Sequence, residues 1–109
     1  MSPIEFHILL ALAAEPLYGY AIKEAVETES GGALTPPAGT LYRVLARLLT
    51  AGWVKETEPR GDVPAHPGLT RRYYALTAAG RTELLEETRR LKQATAMAQK
   101  RLGVAPGRS

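Results

Sequence analysis

Two arginines on one predicted helix carry the clearest chemical signal in this sequence. The segment Thr35 to Val54, TPPAGTLYRVLARLLTAGWV, contains Arg43 and Arg47 but no carboxylate. At about 100° per residue, both arginines fall on one stripe, together with Thr40 and Thr50. Guanidinium groups that project from a helix can pair bidentately with guanine O6 and N7 in the DNA major groove. We therefore predict that DNA is the anion that balances this cationic stripe.

The same segment also has a face suited to a protein core. Four apolar residues form a second stripe almost opposite the arginines: Leu41, Val44, Leu45 and Leu48. Thr35 is predicted to cap the helix, Pro36 to be its first residue, and Gly52 to end it. Gly39 has no side chain, so it allows close approach of either a phosphate or a neighbouring helix.

Two shorter helices are predicted before this segment. Ser2 and Glu5 have the spacing of a capping box, which predicts a helix over residues 2–14. That helix is apolar nearly all round, which favours burial partly against a second subunit. A break at Pro16 precedes a second predicted helix over residues 18–28.

Aromatic and β-branched residues after the arginine helix predict a β-hairpin. Residues 53–57 and 71–76 read as strands, and the Pro- and Gly-rich residues 58–70 between them read as a long loop. Thr77 then caps a last helix that ends near residue 102. Its seam has heptad spacing and consists of Leu84, Thr88, Leu91, Thr95, Ala98 and Leu102. The fold class is therefore mainly α with a small β-hairpin, in the order helix, helix, helix, strand, strand, helix.

The composition limits the classes of function. With 109 residues there is room for one hydrophobic core, and the absence of cysteine excludes disulfides and thiolate metal sites. His7 and His66 are too isolated to indicate a metal site, and no nucleophile or acid/base arrangement is visible. We therefore expect no enzyme activity, no cofactor, and, without a signal or membrane segment, a cytoplasmic location.

Three motifs resemble the PadR family of bacterial transcriptional regulators. They are LYGYAIKEAV at residues 17–26, GTLYRVLARLLTAGWV at residues 39–54 and RRYYALTAAGR at residues 71–81. The single helix after the hairpin resembles the smaller PadR subgroup, which lacks a separate C-terminal domain. The resemblance implies a winged helix-turn-helix domain over residues 1–77, a dimerisation helix over residues 78–102, and a disordered tail over residues 103–109.

The resemblance also implies a homodimeric repressor that binds double-stranded DNA. We predict DNA contacts on the arginine helix and the ribbon, from Pro37, Gly39, Thr40, Tyr42, Arg43, Arg47, Lys55, Arg60, Arg71 and Arg72. We predict a dimer interface that adds Ile4 and Ile8 to the six residues of the heptad seam. A palindromic operator and release by a small ligand or a stress signal complete this hypothesis.

Some alternatives remain open at the level of the sequence. Tyr42 lies between the two stripes of its helix, so it suits either phosphate contact or boundary packing. Trp53 is expected in the core, or else as a platform for a flat ligand at the dimer interface, and Tyr74 is expected to face the core. The alternative function is a winged-helix protein-interaction module without DNA binding, although such a module has no need of a carboxylate-free cationic stripe.

Overall fold

A computed structural model describes residues 1–58 and 72–104 of the chain. Three helices come first, a hairpin follows them, and a long helix ends the described part. The elements are α1 (Pro3–Ala14), β1 (Leu17–Tyr18), α2 (Gly19–Glu29), α3 (Ala38–Ala51), β2 (Val54–Thr57), β3 (Tyr73–Leu76) and α4 (Ala78–Leu102). This order confirms the mainly helical winged-helix class.

The sheet has one strand more than the sequence predicted. Its order is β1-β3-β2 and both pairings are antiparallel. Leu17 pairs with Tyr74, and Tyr18 pairs with Tyr73, so β1 extends the hairpin on its β3 side. A strand of two residues is too short to display the period-two alternation by which strands are recognised, which explains why β1 was missed.

The core lies where α1, α2 and α3 meet the inner face of the sheet. All four residues of the predicted apolar stripe of α3 are buried, and Tyr74 is only 5% exposed. Both predictions are therefore confirmed. The other members of this cluster include Ile8, Leu9, Leu12, Ile22, Val26, Val54 and Leu84.

Helix α1 begins with the capping box that the sequence predicted. The backbone N–H of Ser2 donates to Oε1 of Glu5 at 2.8 Å, and the backbone N–H of Glu5 donates to Oγ of Ser2 at 3.2 Å. The helix contacts α2, α3, α4 and β3, so most of its apolar surface is used within the subunit. Ile8 is fully buried there, which corrects its assignment to a dimer surface. Leu10 is the large apolar residue of α1 that remains exposed.

Helix α3 begins later than predicted. Its N-cap is Pro37, with φ −59° and ψ 154°, and its first helical residue is Ala38. The prediction of Thr35 as cap and Pro36 as first residue is wrong because a residue that precedes a proline avoids the α region. Pro36 precedes Pro37 and therefore cannot start the helix. The predicted end is correct, since Gly52 follows the helix in the left-handed region at φ 80°.

Helix α4 extends beyond the rest of the subunit. Thr77 is its N-cap, as predicted, and its buried residues are confined to the first turns: Gly80, Leu84 and Glu87. At about 1.5 Å per residue the helix is roughly 37 Å long. The chain measures 56 × 27 × 26 Å, and the residues in the second half of α4 are nearly all exposed.

Some predictions fall outside the described residues. These are the DNA contacts of Arg60 and Arg71, nearly all of the loop at residues 58–70, and residues 105–109 of the tail. Within the described part of the chain, no helix combines the length and apolar character needed to cross a bilayer.

Candidate nucleic-acid interface

The outer face of α3 is an exposed stripe that carries two positive charges. Arg43 and Arg47 are exposed, as are Ala46 and Thr50 on the same side, whereas Thr40 is half-buried. The opposite side of the helix is buried in the core. A rigid helix therefore holds both guanidinium groups away from the core, on a face without carboxylates of its own.

A carboxylate on another element lies near one end of this stripe. The hydrogen bond from the backbone of Ser2 lowers the pKa of Glu5, and the positive charge of Arg47 lowers it further. Arg47 therefore lies close to the N-terminus of α1. The ion pairs found within residues 1–58 and 72–104 include neither Arg47 nor Arg43, so both remain available to an external anion.

The start of α3 is open to solvent. Pro37, Ala38 and Gly39 are exposed, and a Cβ at position 39 would meet no atom within 4 Å. Close packing of Gly39 on the second helix, one of the two alternatives raised by the sequence, is therefore wrong. Free backbone N–H groups in a first helical turn favour phosphate oxygens.

Tyr42 lies across the first residue of α2. A Cβ at position 19 would collide with the hydroxyl and the ring of Tyr42, so the ring rests directly on Gly19. The side chain is still 48% exposed. Boundary packing and contact with an external group are therefore compatible for Tyr42. Gly19 is part of the LYGY segment, but its contact with Tyr42 joins two different helices and gives no signal in the sequence.

The ribbon has two described cations, Lys55 and Arg72, and they lie on opposite faces of it. Successive side chains of a strand point to opposite sides, so Lys55 and Glu56 lie on different faces of β2. Glu56 pairs with the buried Tyr74 across the sheet. Lys55 instead shares the outer face with Tyr73 and Arg81. The structure therefore places Lys55 on the side of the ribbon that faces away from the core.

Arg72 lies at the start of the ribbon beside a carboxylate. Its Nη1 is 3.6 Å from Oε1 of Glu56, and the two side chains are 70% and 54% exposed. An ion pair this exposed contributes about 0–1 kcal/mol, so a phosphate can compete for Arg72. Burial raises the pKa of the neighbouring Tyr74, as does the charge of Glu56.

Two of the cavities formed by described residues lie near the predicted site residues. The larger is a groove of about 610 Å³ on the outer face of the sheet, bordered by the end of α1, Lys55, Tyr73 and Arg81. The smaller, the tryptophan pocket, has a volume of about 230 Å³ and is lined by Met1, Trp53, Glu83, Glu86, Glu87 and Arg90. Trp53 is half-buried, packs against the core and borders this pocket.

The predicted dimer residues divide into two groups. Ile4, Ile8 and Leu84 pack within the subunit. Beyond them the seam becomes exposed: Leu91 is half-buried, Thr88, Thr95 and Ala98 are exposed, and Leu102 is 77% exposed. Thr88 Oγ1 donates to the carbonyl of Leu84 at 2.8 Å, and Thr95 Oγ1 donates to that of Leu91 at 2.6 Å. Both hydroxyl groups are thus satisfied within α4.

The described residues offer no metal site. Nowhere in that part of the chain do three or more His, Cys, Asp or Glu side chains come together in a way that can hold an ion. The exposed side chains of Arg43, Arg47 and Thr50 on α3 can bind a partner through charge and hydrogen bonds.

One relative comes from a mobile element. The chain is 46% identical over 79 residues to an uncharacterized 37.1 kDa protein in transposon TN4556 of Streptomyces fradiae, which corresponds to 72% of this chain. The chain spans only about a fifth (20%) of the length of that relative.

Solved structures of similar shape include several transcription regulators. A PadR-like transcription factor of bacteroid fragilis is 29% identical, with a TM-score of 0.72, 89% of this chain covered and 87% of that chain. A PadR family regulator of Clostridium difficile is 20% identical, with a TM-score of 0.73 and coverage of 93% and 99%. Bacillus subtilis PadR in complex with operator DNA is 24% identical, with a TM-score of 0.65 and coverage of 78% and 46%.

The family comparison agrees with the fold and with the three sequence motifs. Residues 8–86 match the family described as transcriptional regulator PadR-like, and this range runs from α1 into the first turns of α4. It includes the whole of α3 and the described part of the ribbon. A match over most of the chain settles the assignment, and this chain belongs to the PadR-like family of transcriptional regulators, which are not enzymes.

Proposed function

We propose that this chain is a homodimeric DNA-binding repressor that reads a palindromic operator with α3 and is released by a small ligand or a stress signal. The observation that carries the proposal is the outer face of α3, where Arg43 and Arg47 are exposed and no carboxylate of the helix accompanies them. A solved relative, Bacillus subtilis PadR, is described in complex with operator DNA, which supports the same use of the fold.

Arg43 is the residue proposed to read base sequence. It projects from the second turn of α3, where a helix that enters the major groove by its N-terminus meets the base edges. Arg47 lies one turn further on, near Glu5, and is proposed to contact the backbone or a flanking base. The neighbouring carboxylate makes a phosphate contact by Arg47 weaker than one by an isolated arginine.

The remaining contacts are proposed to hold α3 in register on the duplex. The open first turn at Gly39 offers backbone N–H groups, and Tyr42 offers a hydroxyl that is held in place by its ring on Gly19. Pro37 and Thr40 border the same turn. Arg72 supplies a charge from the base of the ribbon. Such phosphate contacts fix position and carry no sequence information by themselves.

The proposed DNA surface also includes Arg60, Arg71 and Lys55. The first two lie outside the described residues. Lys55 lies on the outer face of the sheet beside Arg81, and Tyr42 and Tyr74 lie on the other side of the ribbon. If Lys55 touches DNA, the duplex must extend around the edge of the ribbon.

The dimer is proposed to form through the second half of α4. The stripe that packs Leu84 into the core continues outward as Leu91, which is half-buried, and Leu102, which is 77% exposed. Thr88 and Thr95 add methyl groups to this stripe because their hydroxyls are already bonded within the helix. Burial of apolar surface contributes about 25 cal/mol per Å², so a second copy of the stripe stabilises the exposed one.

This arrangement divides the chain into two working parts. Residues 1–77 are proposed as the DNA-binding unit and residues 78–102 as the dimerisation helix, whose first turns also complete the core through Leu84. A two-fold dimer that places its two α3 helices about 34–36 Å apart can read two half-sites one helical turn apart. A palindromic operator follows from that symmetry.

The tryptophan pocket is the proposed entry point for an effector. It combines Met1, which precedes α1, with Trp53 and residues from the first turns of α4. Trp53 is the sole tryptophan, so its fluorescence reports directly on occupancy. An effector that lowers DNA affinity and leaves this emission unchanged would place the site elsewhere.

Salt dependence separates this proposal from a protein-interaction module. A dimer that makes roughly 6–10 phosphate contacts loses about 10³–10⁵ in affinity for duplex DNA between 50 and 200 mM salt. Fluorescence anisotropy with a labelled duplex taken from immediately upstream of the coding region measures this slope. Absence of binding at 50 mM salt, or a flat response, would favour the interaction module.

A further inference from the structure

We propose that Thr77 and Gly80 form a rigid joint that sets the angle between α3 and α4, and with it the separation of the two α3 helices in the dimer. The inference rests on the proposed dimeric function. It makes Thr77 a positioning residue for the spacing of the operator half-sites.

Thr77 bonds to both helices at once. Its Oγ1 donates to the carbonyl oxygen of Gly52, the residue that ends α3, at 2.6 Å. The same oxygen accepts from the backbone N–H of Gly80, in the first turn of α4, at 3.0 Å. The backbone N–H of Thr77 donates to the carbonyl of Trp53 at 3.0 Å. One residue therefore caps α4 and ties it to the end of α3.

Gly80 closes the joint through backbone contact. A Cβ at position 80 would collide with the carbonyl oxygen of Trp53, the same oxygen that accepts from Thr77. The first turn of α4 therefore rests directly on the backbone that follows α3. A contact between two backbones has no side-chain rotamer that can yield, so it resists a change of angle.

A small change at this joint has a large effect on DNA spacing. Arg43 lies roughly 13 Å from Gly52 along α3, at about 1.5 Å per residue. A tilt of about 10° moves the N-terminal end of α3 by roughly 2 Å in each subunit. The displacements in the two subunits add. The resulting shift exceeds the roughly 3.4 Å that separate successive bases along a strand. The joint therefore decides which half-site spacing the dimer fits.

Thr77→Asp removes the hydrogen bond to Gly52 and keeps the N-cap of α4. Aspartate is a good N-cap and still accepts from Gly80, but its carboxylate has no proton to donate to the carbonyl of Gly52. Thr77→Ser keeps both bonds and is the conservative rescue. Thr82→Asp is the charge-matched control, because Thr82 is exposed and its hydroxyl bonds only to Ala78 within α4. Thr77→Ala, which removes both bonds, is the second variant.

The distance between the two α3 helices tests the joint without DNA. The chain has no cysteine, so Ala46→Cys places one spin label per subunit on the exposed face of α3. Pulsed electron paramagnetic resonance should give one narrow distance distribution for the parent, for Thr77→Ser and for Thr82→Asp. Thr77→Asp and Thr77→Ala should broaden or shift it by several ångström, with the dimer mass and helical circular dichroism unchanged.

Binding to spaced half-sites tests the consequence. A duplex selected by the parent protein from a random 30-base-pair pool is rebuilt with one base pair added or removed between its half-sites. The parent should discriminate the selected spacing at least about tenfold, whereas Thr77→Asp should lose or move that preference and keep its affinity for a single half-site.

The outcomes distinguish the joint from the function on which it rests. If the parent gives no distance between subunits or selects no two-part duplex, the proposed dimeric function falls, and the joint with it. If the parent behaves as expected but Thr77→Asp and Thr77→Ala, or whichever of them folds, keep its distance distribution and spacing preference, the joint alone is wrong.

Discussion

Helix α3 and the second half of α4 both carry an apolar stripe, but only one of them buries it within the subunit. In α3, Leu41, Leu45 and Leu48 are at most 1% exposed. In α4 a single stripe runs from Leu84, which is 9% exposed, to Leu102, which is 77% exposed. An apolar stripe therefore indicates that a helix face is buried, but it does not show whether the same subunit or a second subunit packs against that face. The stripe of α3 packs against the rest of the subunit, and the stripe of α4 is proposed to pack against a second copy of the chain.

Leu91→Asp should produce the largest effect, because it places a charge where the stripe of α4 leaves the subunit. We expect monomers that lose roughly 10²–10⁴ in operator affinity, since the second half-site no longer benefits from an effective concentration of about millimolar. Light scattering and anisotropy measure the two quantities. Gln93→Asp, an exposed position on another side of α4, is the matched control and should stay dimeric. A Leu91→Asp dimer, or a monomer with parental affinity, would contradict the proposed interface.

Tyr42→Phe should have an intermediate effect, confined to DNA binding. The variant keeps the ring on Gly19 and removes only the hydroxyl, which is proposed to donate to a phosphate. Hydrogen bonds to charged groups contribute about 1.5–3 kcal/mol, so affinity should fall roughly 10- to 100-fold on operator and random DNA alike. Tyr73→Phe, on the outer face of the ribbon, should leave affinity unchanged. Unchanged binding by Tyr42→Phe would reduce Tyr42 to a packing residue.

Ser2→Ala should have the smallest effect and should act on stability alone. Loss of the capping box is expected to cost about 1 kcal/mol of unfolding free energy at pH 7. The backbone N–H of residue 2, which the variant keeps, is the main cause of the lowered folded pKa of Glu5. The side-chain hydrogen bond from Ser2 lowers this pKa further and is lost in the variant. The Glu5 carboxylate therefore stabilises the fold above its unfolded pKa of about 4.3, and it does so more in the parent than in the variant. That contribution is lost as pH falls through the lower folded pKa. Urea unfolding should therefore give a slightly smaller difference between parent and variant at pH 3 than at pH 7, and an equal difference would exclude a stabilising bond between the Ser2 side chain and the Glu5 carboxylate.

The sequence predicts most helix termini of this fold, but it does not predict the close contacts between its elements. Ser2, Thr77 and Gly52 mark helix termini through their own conformational preferences, so the sequence predicts the starts of α1 and α4 and the end of α3 correctly. The start of α3 differs from the predicted one because Pro37 keeps Pro36 out of the α region. Ile8 was assigned to a dimer surface because periodicity alone does not tell a subunit core from an interface.

The sequence predicts the charged residues of the site, but it does not predict the contacts that hold the site's helices in position. Arg43 and Arg47 were identified because helical spacing places them opposite the core stripe. The contacts of Gly19 with Tyr42 and of Gly80 with Trp53 join residues that are more than twenty positions apart in the chain. No pattern within one helix reports such contacts, so they emerge only from the packing of the elements.

The affinity of Arg43→Ala for operator and for random DNA tests the central claim most directly. Arg43 is proposed to read a base, so the variant should lose on the order of 1–3 kcal/mol on the selected operator and little on random duplex DNA. Arg89→Ala, an exposed arginine on α4, removes the same charge and should change neither affinity by a comparable amount. An equal loss on both DNAs for Arg43→Ala, or no loss on either, would contradict the assignment of α3 as the helix that reads the operator.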